Sequence, residues 1–232
     1  MIKTELTNYY AKRAAEYERI YQKPEREKDL KQLQGILANA FDGLELLEIA
    51  CGTGFWTQYA CRSAKSIVAI DYNEEVLSMA REKDYCCPIM FLKTDAYALN
   101  GIDGPFSAAF AGFWWSHIPK AKIDDFLQVL HSKLSKGATV IIFDNRYIDG
   151  NSTPINRTDD EGNTYQMRSL SDGSKHEVLK NFPKENEFIS RIESVDKGCQ
   201  FRELEYFWLA QYKLKTDAEQ NIPAKNLGKH RP

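Results

Sequence analysis

The stretch Leu44-Glu45-Leu46-Leu47-Glu48-Ile49-Ala50-Cys51-Gly52-Thr53-Gly54 constrains the fold more than any other in this chain. A short apolar run that stops at a glycine turn reads as a parallel strand buried on both faces. Helical sequence follows at 55–63, which makes the stretch a strand–turn–helix unit. The pattern then repeats. Strands are expected at 66–70, 88–92, 106–111 and 139–143. Helices are expected at 25–40, with Pro24 at the start, at 74–83, with Asn73 as cap, and at 120–134, closed by Lys136-Gly137. Alternation of this kind gives an α/β, doubly wound, mostly parallel sheet with helices on both faces and right-handed crossovers.

The alternation stops after Asp144. Residues 145–162 are rich in Asp, Asn, Gly, Ser and Thr and read as a loop. Residues 165–170 and 175–182 alternate around Asp172-Gly173, a β-hairpin signal. Helix is expected at 183–195, and two strands meeting near Glu205 at 200–214. The polar residues 215–232 lack periodicity and read as a mobile tail. An amphipathic helix is expected at 4–21. The organisation expected is one domain over 1–214, with an N-terminal helical cap at 1–40 and a loop-and-hairpin insertion at 145–183.

Composition narrows the function classes. With a formal net charge of −2 and interspersed acids and bases, the chain shows no basic stripe of the kind nucleic acids attract, which disfavours a nucleic-acid substrate. The polar N-terminus has no apolar core of a signal peptide, and no run of about 18 apolar residues suggests a membrane span. Cys51, Cys61, Cys86, Cys87 and Cys199 are odd in number and form no C-x-x-C pair, so neither a disulfide framework nor a metal site is expected. A reducing, cytoplasmic setting follows. The 12 Tyr, 12 Phe and 4 Trp serve a core, and are also the residues of a pocket for a flat organic molecule.

Ligands of open α/β sheets bind at the carboxyl ends of the strands, where the turn Ala50-Cys51-Gly52-Thr53-Gly54 lies. A dinucleotide fingerprint needs a third small residue, and here Phe55-Trp56-Thr57 follows instead. Glu48 also stands before the glycines. A carboxylate is a poor neighbour for a pyrophosphate and a good one for a cation, which favours S-adenosylmethionine, with its sulfonium and ammonium groups, over NAD. Asp71 ends the second strand, where it would accept from ribose hydroxyls; its structural alternative is to cap the following helix. Asp95 ends the third strand, where it would accept from an adenine amino group, with Ala96 and Tyr97 beside the ring; its alternative is a solvated loop aspartate.

These motifs, in this order and spacing, resemble the class I S-adenosylmethionine-dependent methyltransferases over about residues 9–214. Residues 46–54 look like the family's glycine-rich first motif, residues 69–73, Ala-Ile-Asp71-Tyr72-Asn, like its acidic ribose motif, and Asp95 like the acid after its third strand. The resemblance implies a Rossmann-like, seven-stranded sheet whose last strand runs antiparallel. It also implies cofactor contacts from Glu48, Ala50, Cys51, Gly52, Thr53, Gly54, Asp71, Tyr72, Asp95, Ala96, Tyr97 and Gly112. The first motif departs from the usual pattern at Ala50-Cys51, where small residues still permit the turn.

The stretch Gly112-Phe113-Trp114-Trp115-Ser116-His117-Ile118-Pro119 resembles the Phe-Trp-x-Ser-His-x-Pro segment of small-molecule members, in a loop facing the methyl group. Phe113, Trp114 and Trp115 are thus candidate acceptor contacts, or simply buried. His117 is the candidate general base, or a histidine bonded to a backbone carbonyl. Tyr9, Tyr10 and Tyr17 match an N-terminal helix whose tyrosines cover the site, with Tyr17 toward the cofactor and Tyr9 and Tyr10 toward the acceptor. The expected reaction is in-line methyl transfer to a small aromatic or lipophilic acceptor. The alternatives are an RNA or protein methyltransferase, supported by Lys225, Lys229 and Arg231, a non-catalytic S-adenosylmethionine-binding protein, and an NAD oxidoreductase.

Overall fold

The computed structural model describes residues 18, 20–196 and 198–216. The expected helix at 4–21, the tyrosines Tyr9, Tyr10 and Tyr17, and the tail beyond 216 lie wholly or mostly outside those residues.

Seven strands form the main sheet: β1 (Glu45–Ile49), β2 (Ser66–Asp71), β3 (Ile89–Lys93), β4 (Phe106–Gly112), β5 (Leu134–Asn145), β9 (Gln200–Glu203) and β10 (Phe207–Lys213). Their order is β3-β2-β1-β4-β5-β10-β9. The first five are parallel, and β10 runs antiparallel to both β5 and β9. The order reverses between β1 and β4, so the switch point lies between their carboxyl ends.

Alternating side chains explain why β1 reads as a continuous apolar run. Leu47 and Ile49 enter one core with Ala109, Ala111, Val140 and Ile142. Leu46 enters the other with Ile67, Ala69, Ala108 and Ile141. Helices α1 (Glu27–Ala40), α2 (Thr57–Ala60) and α3 (Glu74–Arg81) cover the second core through Leu30, Leu33, Leu37, Ala60 and Leu77. Helices α4 (Ile123–Ser132) and α5 (Glu185–Ile192) cover the first through Phe126, Leu127, Leu130, Phe188 and Ile192. Phe188 is fully buried and packs its ring on Trp115 at 4.7 Å, Trp208 at 5.5 Å and Phe201 at 5.8 Å.

Several sequence expectations need correction. Asn73 sits at the N-cap of α3 with extended backbone but makes no side-chain cap bond. Leu134 belongs to β5, not to the helix before it, because its backbone pairs with Phe106. The region expected as loop contains strand β6 (Ile155–Thr158), which joins β7 (Thr164–Ser169) and β8 (Lys175–Leu179) in a second, antiparallel sheet. All four β6 residues are exposed, so no apolar alternation announced the strand. No helix among the described residues is long and apolar enough to cross a membrane.

Replacing Phe188 by Ala empties the centre of the α5 contact and should cost about 3–5 kcal/mol, whereas Leu should recover most of it. Urea denaturation midpoints of the two variants check this, and equal losses would show that the ring does not fill that contact.

Candidate functional site

Backbone strain marks the switch point. Ala50, just after β1, has φ 53°, and Phe113, just after β4, has φ 59°. Side-chain-bearing residues rarely occupy this left-handed region, and strain of this sort concentrates at functional sites. Each residue is locked by a ladder-type bond beside it: Cys51 N–H donates to the Ile70 carbonyl at 2.8 Å and Phe113 N–H to the Phe143 carbonyl at 2.8 Å. The chain therefore leaves the sheet at both strand ends, opening a crevice between them.

On the β1 side the turn is tied to β2. Asp71 accepts from the Gly52 N–H at 3.0 Å and from the Asn73 N–H at 2.9 Å. Burial pushes its carboxyl up, against the pull of these backbone donors. Glu48, 1% exposed, accepts from the Thr57 hydroxyl at 2.7 Å. Burial pushes it up to about 8, the Thr57 bond opposes the shift and the Asp71 charge adds to it. The buried Cys51 thiol is likewise pushed up. Asp95 bonds the Tyr97 N–H at 3.0 Å, Ala96 is buried, Tyr97 is half-buried and Tyr72 is 49% exposed. Three carboxylates thus stand at the ends of β1, β2 and β3.

The glycines prove partly structural. A Cβ on Gly54 would collide with the Tyr85 hydroxyl and crowd Ala80, and one on Gly112 would meet the Phe143 ring at 2.5 Å. Thr53, 1% exposed, donates its hydroxyl to Glu18 at 2.7 Å, and Glu18 also pairs with Lys83. Tyr21 stacks on Phe55 at 4.0 Å and accepts from Trp56 Nε1 at 3.0 Å. Glu18 and Tyr21 therefore pack against the glycine turn and the residues that follow it, contacts absent from the sequence reading because no motif marks them.

The β4 side is built differently. Phe113, 6% exposed, packs among Tyr21, Trp56, Phe143 and Phe207. Trp115, 2% exposed, lies in the core against Phe188 and Trp208, so its expected place in an acceptor pocket gives way to packing. Trp114 is half-buried beside Tyr97 at 5.7 Å, and its buried Nε1–H lacks a partner. His117, 5% exposed, bonds the Leu179 carbonyl through Nδ1 at 2.8 Å. A carbonyl only accepts, so Nδ1 carries the proton and Nε2 the basic lone pair. Burial, then the Lys180 charge, hold the imidazole well below its ordinary range, with Asp144 opposing.

The sequence reading missed Asp144 and Lys180. They pair at 3.0 Å with 0% and 4% of their side chains exposed, and Lys180 also donates to the Ser116 hydroxyl at 2.5 Å. Asp144 accepts from the Ser116 N–H at 2.9 Å. Asn181 completes the junction through the carbonyls of Ser116 at 2.8 Å and Ile118 at 3.0 Å. Among the described residues no cluster of three or more His, Cys, Asp or Glu could hold a metal ion.

Residues 46–137 match the family described as a methyltransferase domain. Over 64 residues the chain is 38% identical to YqeM of Bacillus subtilis (strain 168), by name a provisional methyltransferase; the match covers 27% of this chain and 26% of that protein's length. Among solved structures, DhpI in complex with SAH aligns with a TM-score of 0.73 at 23% identity, covering 92% of this chain and 97% of that one. DhpI with SAM and HEP aligns at 0.74 and 22%, covering 91% and 97%. PH0226 of Pyrococcus horikoshii OT3 aligns at 0.67 and 16%, covering 86% and 99%. At these identities the structures speak for the fold. Residues 46–137 thus match a methyltransferase domain, within a chain that takes the Rossmann-like fold shared with these structures.

The raised Glu48 carboxyl sets a pH dependence. The folded state favours the protonated form, so the fold pays for ionising Glu48 as pH rises from its ordinary 4.5 toward about 8. Glu48→Gln should therefore stabilise the protein increasingly across that interval and by a constant amount above it. Thermal midpoints between roughly pH 5 and pH 9 check this; a gap that stays flat throughout would place the ionised carboxylate in the fold at neutral pH.

Proposed function

We propose that this chain transfers the methyl group of S-adenosylmethionine to a small acceptor with an aromatic or lipophilic body. The observation that carries the reading is the row of carboxylates, Glu48, Asp71 and Asp95, at the ends of β1, β2 and β3 beside a strained turn. That set of acceptors suits the ribose hydroxyl, amino and ammonium donors of S-adenosylmethionine and offers a pyrophosphate no hydrogen-bond donors. When bound, S-adenosylmethionine would supply the electrophilic methyl group, which the acceptor nucleophile takes in line as the carbon–sulfur bond breaks and S-adenosylhomocysteine leaves.

In this reading Gly52, Thr53 and Gly54 with Ala50 and Cys51 shape the cofactor wall, and Asp71 takes the ribose. Asp95, Ala96, Tyr97 and Tyr72 border the adenine, and Gly112 lies at the crevice floor. Trp114, with its unpartnered Nε1–H, and Phe113 border the acceptor. Tyr17 faces the cofactor and Tyr9 and Tyr10 face the acceptor, a role that rests on the sequence resemblance alone. Residues 1–214 act as one domain, the 1–40 cap and the 145–183 insertion closing its open end. His117 stays neutral at physiological pH and takes a proton through Nε2 as the nucleophile attacks; alignment supplies most of the rate.

Calorimetric titration with S-adenosylmethionine and S-adenosylhomocysteine tests the cofactor reading. Asp71→Ala should weaken binding about tenfold, or about 1.4 kcal/mol, and absence of binding by folded wild type would overturn the proposal. His117→Asn should leave cofactor affinity within about twofold while lowering turnover and flattening its pH profile. Unchanged turnover would assign His117 to holding the hairpin alone.

A further inference from the structure

Two arginines from distant parts of the chain meet beyond the carboxyl end of β5. Arg26, which ends a short 3-10 turn at Pro24–Arg26, sends Nη2 to Asn151 Oδ1 at 2.8 Å and Nη1 to Asn145 Oδ1 at 3.4 Å. Arg168, in β7, sends Nη2 to Gln166 Oε1 at 2.7 Å. Gln166, 1% exposed, in turn donates to the Thr153 carbonyl at 2.6 Å. The two guanidiniums are therefore anchored to the same short loop, at Asn151 and next to Thr153. The Tyr206 and Phe207 rings flank Arg26 at 5.5 and 5.8 Å.

Every hydrogen-bond partner of these guanidiniums is an amide oxygen, and among the described residues neither arginine makes an ion pair. The neighbouring carboxylates are engaged elsewhere. Asp144 belongs to Lys180 and Ser116. Asp29 accepts from the Tyr206 N–H at 2.7 Å, and Glu203 pairs with Arg146 at 2.8 Å. Glu25 is exposed, lies 3.9 Å from Lys23 and is bonded by Asn151. Both arginines are half-buried, and the Nε–H of each is buried with no acceptor. Burial lowers the Arg26 pKa; the exposed Glu25 and then Tyr206 oppose the shift, and the positive charge of Arg168 adds a smaller lowering.

A half-buried cation normally sits against a counter-charge, and a buried N–H without an acceptor carries a desolvation penalty. Two like-charged guanidiniums on one loop, each with an unmet donor, are an arrangement that an oxyanion resolves, because a planar guanidinium offers paired donors to a carboxylate or phosphoryl group. The site also lies on the opposite side of the crevice from Glu48, Asp71 and Asp95. Acidic strand ends suit a cationic cofactor, and the basic corner past β5 suits a partner of opposite sign.

We propose that Arg26 and Arg168 bind an oxyanion, a carboxylate or phosphoryl group, carried by the methyl acceptor. The inference rests on the reading of this crevice as a methyl-transfer site, which it deepens by naming the acceptor's charge. The arginines orient the acceptor from its anionic end, leaving its nucleophile toward the loop that carries His117.

The test uses the full chain saturated with S-adenosylhomocysteine and titrated by calorimetry with benzoate, phenyl phosphate and the neutral isostere benzamide. Benzoate or phenyl phosphate should bind, weakening as ionic strength rises, and benzamide should bind at least about tenfold more weakly. Which of the two anions binds separates a carboxylate site from a phosphoryl site. Arg26→Gln and Arg168→Gln should each weaken the anion about tenfold or more, Arg168→Lys less, with S-adenosylhomocysteine affinity held within about twofold. Equal binding of benzamide and benzoate would overturn the proposal, as would anion binding that survives both Gln substitutions or no anion binding by the loaded protein. The benzoate–benzamide contrast is read on wild type, so it stands even where a variant fails to fold. Anion binding through the arginines with no S-adenosylhomocysteine binding would keep the oxyanion site and remove the methyl-transfer reading.

Discussion

The docking of the inserted sheet onto the loop after β4 hangs on one ion pair. Lys180 and Asp144 face each other at 3.0 Å with almost no solvent contact. Burial pushes the Asp144 carboxyl up, but the Lys180 charge, the His117 ring and the Ser116 donors outweigh it and hold the group below its ordinary range. Taking two charges out of water costs several kcal/mol for each ion, so such a pair adds little net stability. Breaking it by removing one partner costs about 3–5 kcal/mol. Its consequence is register. Asp144 stands near the end of β5, Ser116 in the loop after β4, and Lys180 just past β8. Their mutual bonds fix the inserted sheet against the open end of the main sheet in one position. The bond from His117 to Leu179, and those from Asn181 to Ser116 and Ile118, follow from that docking.

The docking divides the crevice by charge. The β1–β3 end presents Glu48, Asp71 and Asp95, and two of these are pushed toward protonation by burial. The β5 corner presents Arg26 and Arg168, with Lys180 neutralised by Asp144. Fields in a partly desolvated cleft act at longer range than on an open surface. The β1–β3 end therefore presents hydrogen-bonding carboxyl groups, and the β5 corner presents positive charge. The whole chain's net charge of −2 hides this partition, because the opposing groups cancel in the sum.

What the sequence made legible is what depends on near neighbours. The β1 run and glycine turn, the terminal acids of β2 and β3, and the Asp172-Gly173 hairpin are each local patterns, and the structure forms all of them. The antiparallel β10 came through the family resemblance rather than through periodicity. Strand β6 escaped notice because its four residues are all exposed and only Ile155 is apolar, so neither face alternates. Trp115 read as a pocket residue because a local pattern cannot tell an aromatic facing a ligand from one facing Phe188 and Trp208. The Asp144–Lys180 pair spans 36 positions and the loop joining Arg26 to its anchor spans 125. Contacts of that separation leave no spacing to read.

The two strained residues join the halves. Ala50 and Phe113 both take left-handed backbone, at a cost of roughly 1–2 kcal/mol each for a residue with a side chain. Phe113 also links the two strand ends through packing, its ring meeting Tyr21 and Trp56 and also Phe207. Everything on the Ala50 side is made from the turn, the strand ends and the helix that follows. Everything on the far side is made from side chains that the 145–183 insertion and the Pro24–Arg26 turn bring in. The Trp114–Tyr97 and Trp56–Phe143 ring contacts, at 5.7 and 4.9 Å, also join the two sides, while the Ala50 turn is held by Asp71 and the β1–β2 ladder.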